Sequence, residues 1–276
     1  MEKKLEFGLT FLMLMALGVV LIQRPAFGTW ELETTATLAE LLEQAEENAR
    51  DSDESPAPVA TTEEPTDAPT SPASTSSTAQ LAGIDVSHYQ GTVDWEDVAE
   101  ADIKFAFAKA TDGITYTDPM WSTNKTAAPA NGVLIGGYHF YQPADDPTKQ
   151  AANFIAALGD VSGNLPPVVD LEKAPEASAA QNYVQDIQTF LEAVADATGC
   201  APMIYANPSF FAQYLAADLA DLPLWLAEYR DTPPPADGPV WVFWQHSQNS
   251  FVNGISGAVD LDWFAGDEQA LSALAC

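Results

Sequence analysis

Eight short apolar runs recur between Leu81 and Leu261, and those in the first half are separated by segments patterned as helices. The runs are Leu81–Val86, Lys104–Ala110, Val133–Tyr141, Leu165–Glu172, Met203–Asn207, Leu224–Tyr229, Val240–His246 and Ala258–Leu261. The helix-patterned segments are Asp94–Ala101, Met120–Asn131, Pro147–Leu158 and Ala177–Thr198. Two strands that run in the same direction need a crossover between them, usually a helix. Repeated strand–helix units therefore predict a parallel sheet, and eight strands predict that it closes into a barrel. In the second half the connections shorten and helical patterning fades. The expected fold is an irregular, TIM-like α/β barrel over residues 81–276.

In such a barrel chemistry collects where the strands end, and the fourth run ends in two carboxylates. The stretch LPPVVDLEK, residues 165–173, leaves a loop at Pro166 and Pro167, passes through Val168 and Val169, and then presents Asp170 and Glu172. Residues two apart in a strand share a face, so these carboxyls leave the backbone about 6.6 Å apart and point the same way. Leu171 faces the other side, where helices would cover it. Neighbouring acids repel, which raises at least one pKa. That separates a proton donor from a charged partner, the division of labour used in glycoside cleavage. Taken singly, a D-x-E pair is commonplace at a strand end meeting solvent; its weight comes from what else reaches the same rim.

Other runs end in acids, amides and rings. The first closes on Asp85 and the turn Ser87–Gly91, the third on Tyr138, His139 and Tyr141, the fifth on Tyr205 and Asn207. The sixth carries Trp225 and Tyr229, the seventh Gln245 and His246, and the last Asp260 and Asp262. Sugar rings offer apolar faces to aromatics and hydroxyls to acids and amides, so this rim reads as a carbohydrate cleft. Tyr138, Tyr141, Tyr205, Trp225, Tyr229 and Gln245 are its candidate substrate contacts. An aromatic near a strand is often simply core. His88 and His139 read as hydrogen-bonded structural groups, and Lys109 with Asp112 as an internal ion pair.

The net charge of −30, with 26 of the 40 acids and 6 of the 10 bases in residues 81–276, disfavours a polyanionic partner such as nucleic acid. Upstream of the barrel, Lys3 and Lys4 precede an apolar run from Phe7 to Ile22. Residues 1–28 read as an export segment, either a signal peptide cleaved after Gly28 or a retained anchor. Residues 29–50 space Leu38, Leu41, Leu42 and Ala45 as a short helical stalk, and 51–80 are a Pro/Ser/Thr-rich linker expected to be disordered. The expected location is outside the cytoplasm, secreted or held in the envelope, with membrane contact only through the N-terminal segment. In an oxidising compartment Cys200 and Cys276 could bridge; two separate thiols fit the sequence equally well. No C-x-x-C or His-x₃-His spacing supports a metal site.

Seven motifs in order, GIDVSHYQG, FAFAKATDG, GGYHFY, PVVDLE, LWLAEY, WQHS and GAVDLD, resemble glycoside hydrolase family 25, the Chalaropsis-type lysozymes or 1,4-β-N-acetylmuramidases. The resemblance covers residues 81–264, and His246 stands where that family more often has an aromatic residue. It implies a (β/α)₅β₃ barrel that cuts the β-1,4 bond between N-acetylmuramic acid and N-acetylglucosamine in peptidoglycan, needs no cofactor, and is expected to act as a monomer. Glu172 matches the general acid. Asp170 matches the charged partner of a substrate-assisted reaction, and Asp85 and Asp260 match two further cleft acids, with Asp262 a weaker candidate. A chitinase-like glycosidase and a non-catalytic glycan-binding module remain as alternatives. Val168 and Pro166, two and four positions before Asp170, break the acidic series of the first, and the presence of Glu172 speaks against the second.

Overall fold

The computed structural model describes residues 80–177, 180–235 and 237–276. The export segment, the stalk and all but the last residue of the linker lie outside the described residues. Nine strands form one sheet: β1 (Leu81–Val86), β2 (Phe105–Asp112), β3 (Tyr116–Thr117), β4 (Leu134–Phe140), β5 (Val168–Asp170), β6 (Met203–Ala206), β7 (Leu224–Ala227), β8 (Phe243–Ser250) and β9 (Val259–Phe264). The order is β1-β9-β8-β7-β6-β5-β4-β2-β3, and a further β1–β2 pairing closes eight of them into a barrel, leaving β3 as a two-residue flap on β2.

Helices follow the first strands: α1 (Trp95–Glu100), α2 (Trp121–Ala130), α3 (Pro147–Leu158) and α4 (Tyr183–Thr198), with a short α5 (Pro208–Phe210) running into a π turn after β6. Local chemistry sets their ends. Asp94 and Asp146 accept hydrogen bonds from backbone N–H groups of the first turns of α1 and α3, and Pro147 starts α3 where no N–H is needed. Gly199 ends α4 in the left-handed conformation, at φ 67°. A final helix, α6 (Glu268–Ala273), follows β9.

Two expectations are corrected. The last strand is antiparallel to both neighbours, β8 and β1. The eight residues between β8 and β9 can turn a hairpin but cannot build the crossover that a parallel partner requires. The fourth run pairs as a strand only over Val168–Asp170, because Pro166 and Pro167 have no N–H to donate. Its extended path still continues, since Leu171 N–H bonds to the Tyr205 carbonyl at 2.9 Å.

The strand alternation divides the core in two. Phe105, Phe107, Val168, Met203, Phe243 and Phe264 fill the barrel interior. Ile84, Ala106, Val169 and Leu171 face outward into a second core that also holds Phe154 of α3 and Ile187, Phe190 and Val194 of α4. The interior is tight: a Cβ at Gly83 would collide with the Phe105 ring, and one at Gly136 would lie 2.7 Å from the Phe107 ring. These glycines make the volume that the phenylalanines occupy. Aromatic rings thus plug the barrel below, and the last inward-facing positions of β1, β5, β6 and β8 are left to the polar residues Asp85, Asp170, Tyr205 and Gln245. Cys200, just past α4, is disulfide-bonded to Cys276, with Cα atoms 5.5 Å apart.

Candidate active site

At the C-terminal ends of the parallel strands opens a cleft of about 250 Å³, lined by Asp85, Lys109, Tyr138, Asp170, Glu172, Tyr205, Trp225, Tyr229, Gln245 and Asp260, among others. Strand parity delivers most of these. Asp85 lies two positions beyond Gly83, Tyr138 two beyond Gly136, Asp170 two beyond Val168, Tyr205 two beyond Met203, and Gln245 two beyond Phe243, all on inward faces. Asp260 reaches the same rim from the start of β9, since an antiparallel strand begins where its neighbours end, and it sits directly opposite Asp85. Asp262 lies one inward position deeper, and Trp225 donates its indole N–H to it at 2.8 Å.

Gln245 organises the floor. Its Oε1 accepts from Tyr205 at 2.8 Å and from Tyr229 at 3.0 Å, and its Nε2 donates to Asp85 at 2.6 Å and to Asp260 at 3.4 Å. Two hydroxyl donors and two carboxylate acceptors leave the amide a single orientation that satisfies all four.

The acids are all pushed toward their protonated forms. Burial and then the neighbouring Asp262 and Asp260 raise Asp85 well above the usual range, while the Gln245 bond pulls the other way. Burial lifts Asp260 to about 6 and Asp262 to about 8. Asp170 is buried and held well above its ordinary value by burial and by Glu172. Glu172, which reaches solvent, is raised by its partial burial and lowered by a hydrogen bond from Asp170 and by Lys109 and Lys173. The upward push is therefore stronger on Asp170 than on Glu172. Depth decides this: Glu172 can be hydrated as an anion at the cleft mouth and Asp170 cannot.

Tyr141 is corrected outright. It follows the inward-facing Phe140, so it points to the outer layer, where it is fully buried against Tyr183 and Phe190. The histidines fit their structural reading. His139 is buried between Thr111 Oγ1, at 2.7 Å from Nδ1, and Gln150 Oε1, at 3.1 Å from Nε2, and burial lowers it to about 4. His88 Nδ1 meets Asp118 at 2.8 Å. Sequence reasoning missed Lys109 as a cleft residue. The expected ion pair with Asp112 is present at 3.0 Å, but the side chain also lines the cleft and acts on both members of the acid pair. Its inward parity with Phe105 and Phe107 was the available signal. Tyr89, 83% exposed on the turn after β1, is a second missed wall residue. Among the described residues no group of acids, histidines or cysteines could hold a metal ion, and no helix is long and apolar enough to cross a membrane.

A closed barrel whose strand ends gather proton-holding carboxyls between aromatic walls defines a glycoside hydrolase. The chain belongs to glycosyl hydrolases family 25, whose profile matches residues 84–255. It is 34% identical to two named relatives. Lysozyme M1 of Streptomyces globisporus aligns over 215 residues, covering 72% of each chain. The N,O-diacetylmuramidase of Chalaropsis sp aligns over 199 residues, covering 63% of this chain and 94% of the relative. Among solved structures, the bacterial lysozyme from Streptomyces coelicolor superposes with a TM-score of 0.64 at 34% identity, over 72% of this chain and 98% of the other.

Proposed function

We propose that this chain is an exported lysozyme that hydrolyses the β-1,4 bond between N-acetylmuramic acid and N-acetylglucosamine in peptidoglycan. The observation that carries the reading is the hydrogen-bonded Asp170–Glu172 pair, two carboxyls raised together on one side of an aromatic-walled cleft. The relatives named lysozyme and muramidase support the substrate, and wall material lies outside the cytoplasm.

One proton serves the pair. As a glycan displaces water from the cleft, Asp170 passes its proton across the shared bond to Glu172, which delivers it to the departing 4-oxygen of N-acetylglucosamine. The carboxylate left on Asp170 then faces the 2-acetamido group of N-acetylmuramic acid. Its Oδ1, buried without a hydrogen-bond partner, is the acceptor the acetamido N–H would satisfy. The acetamido oxygen closes onto the anomeric carbon as the glycosidic bond breaks. Water then opens that ring, gives its proton to Glu172, and leaves the β-anomer. Asp85 and Asp260 present carboxyl oxygens to the reacting ring from the cleft floor, and Tyr138, Tyr205, Trp225 and Tyr229 frame the sugar.

Clearing of purified peptidoglycan, compared between wild type and Glu172→Gln, tests this, with mass spectrometry to identify the new reducing end. The expected result is release of N-acetylmuramic acid ends, and a loss of about 10²–10⁴-fold in the variant, the usual contribution of a general acid. Cleavage of chitin but not of wall would favour the chitinase-like alternative; cleavage of neither would favour a binding module. An α-anomer as first product by NMR would overturn the assisted route.

A further inference from the structure

A second groove, with a volume of about 520 Å³, lies against the catalytic cleft and shares one wall residue with it, Tyr229. It is built rather than incidental. The segment after β7 runs beside β8, with Glu228 N–H bonded to the Gln245 carbonyl at 3.0 Å and Arg230 N–H to the His246 carbonyl at 3.3 Å. Strand β8 continues five residues past Gln245. Its pairing with β9 is irregular between Gln245 and Ser247 and again between Ser247 and Ser250. Such irregularities break the in–out alternation, and here Gln248 and Asn249 both come to the surface.

The lining has the chemistry of a sugar site. His246 lies nearly parallel to the Trp263 indole, with centroids 5.1 Å apart and planes at 16°, and its other neighbour is Trp244 at 5.3 Å. The ring is thereby fixed as a flat surface, and burial holds its pKa down, favouring the neutral form. Beside it runs an uncharged row of hydroxyls and amides from Ser247 to Ser250, with the two serine hydroxyls 2.8 Å apart. The charges in the groove are Asp231 and one arginine, Arg230, which is paired to Glu228 at 3.1 Å. The row of hydroxyls and amides beside a flat ring matches the hydroxyl and acetamido groups of an N-acetylated saccharide.

We propose that this groove is a distal saccharide subsite, in which further N-acetylhexosamine rings of the same glycan strand bind past Tyr229. The inference rests on the cleft being glycan-cleaving and adds that the enzyme prefers long strands. Tyr229 anchors the junction, and the polar row takes the hydroxyl and acetamido groups of the continuing chain.

The test uses the full chain and peptide-free oligomers of alternating N-acetylglucosamine and N-acetylmuramic acid, from four to ten sugars. The wild type is expected to show a kcat/KM that climbs with length beyond the tetramer. The double variant Gln248→Ala/Asn249→Ala, at two exposed positions, is expected to reduce the decamer-to-tetramer ratio of kcat/KM by about 5-fold or more, the effect of losing one or two neutral hydrogen bonds. A ratio that is flat in the wild type, or unchanged in the variant, overturns the subsite. A loss confined to peptide-bearing wall would assign the groove to the stem peptide and also overturns it. Failure of the wild type to cleave any oligomer would count against the proposed function instead. The subsite is then read by calorimetric binding of the decamer to Glu172→Gln with and without the double variant, and equal affinities overturn it.

Discussion

Gln245 and Asp85, 160 positions apart in the chain, are joined by a 2.6 Å hydrogen bond across the floor of the cleft. The same amide holds the hydroxyls of Tyr205 and Tyr229, so one side chain ties together β1, β6, β8 and the loop after β7. It is a buried, fully committed polar hub, and such a hub is expensive to break because every partner is left short at once.

Gln245→Ala should therefore lower kcat/KM on peptidoglycan by about 10–100-fold, the scale of one or two hydrogen bonds to charged partners. It should also raise the pKa of Asp85 further, since the bond from Gln245 is what pulls it down. Steady-state kinetics together with carboxyl chemical shifts would check both. Unchanged kinetics would show that the hub does not position the cleft.

Lys109 is the cation that restrains the pKa values of both Asp170 and Glu172. Replacing it with Met removes that restraint, so both carboxyls should hold their proton to higher pH. The alkaline limb of the kcat/KM profile is expected to move up in pH, and a downward or absent shift would contradict the assignment.

Asp262 gives a stability prediction of unusual sign. Its carboxyl, near the ordinary carboxylate range when unfolded, titrates at about 8 in the fold because of burial. Between those values the folded chain binds more protons than the unfolded one, so stability falls as pH rises through that window and levels off above it. Asp170 and Asp85, also raised, act in the same direction. Calorimetry should find Tm declining from pH 4 to pH 8, and Asp262→Asn should flatten that decline. An unaltered slope in the variant would remove Asp262 as its source.

The Cys200–Cys276 disulfide closes a loop of 76 residues between α4 and the C-terminus. On the chain-entropy account a loop of that size stabilises the fold by roughly 4 kcal/mol. Cys276→Ser is expected to lower Tm by several degrees and to abolish its dependence on reductant. A melting point indifferent to both would place the bond outside the stability of the barrel.

Much of the site was legible because it depends on local arithmetic. Parity along a strand placed Asp170 with Glu172 and carried Asp85, Tyr138, Tyr205 and Gln245 to one rim. The same rule would have sent Tyr141 outward, three positions from Tyr138, and Lys109 inward. Tyr141 was misjudged on residue type, an aromatic being read as a platform, whereas Lys109 forms the ion pair expected of it and was missed only as a cleft residue. The short connection before β9 rules out a crossover, but no local rule could show that β9 also pairs with β1 and so sets Asp260 opposite Asp85.

By itself, then, the order of residues determined the alternation of strands and helices and which side chains could share a face. These follow from periodicities of two and of 3.6 residues, which need no knowledge of distant neighbours. Only the tertiary structure decided how strongly burial acts on each acid, how Gln245 bridges residues far apart in sequence, and that the two cysteines meet. Each of those depends on depth from solvent or on distance through space, and neither quantity is written in the spacing along the chain.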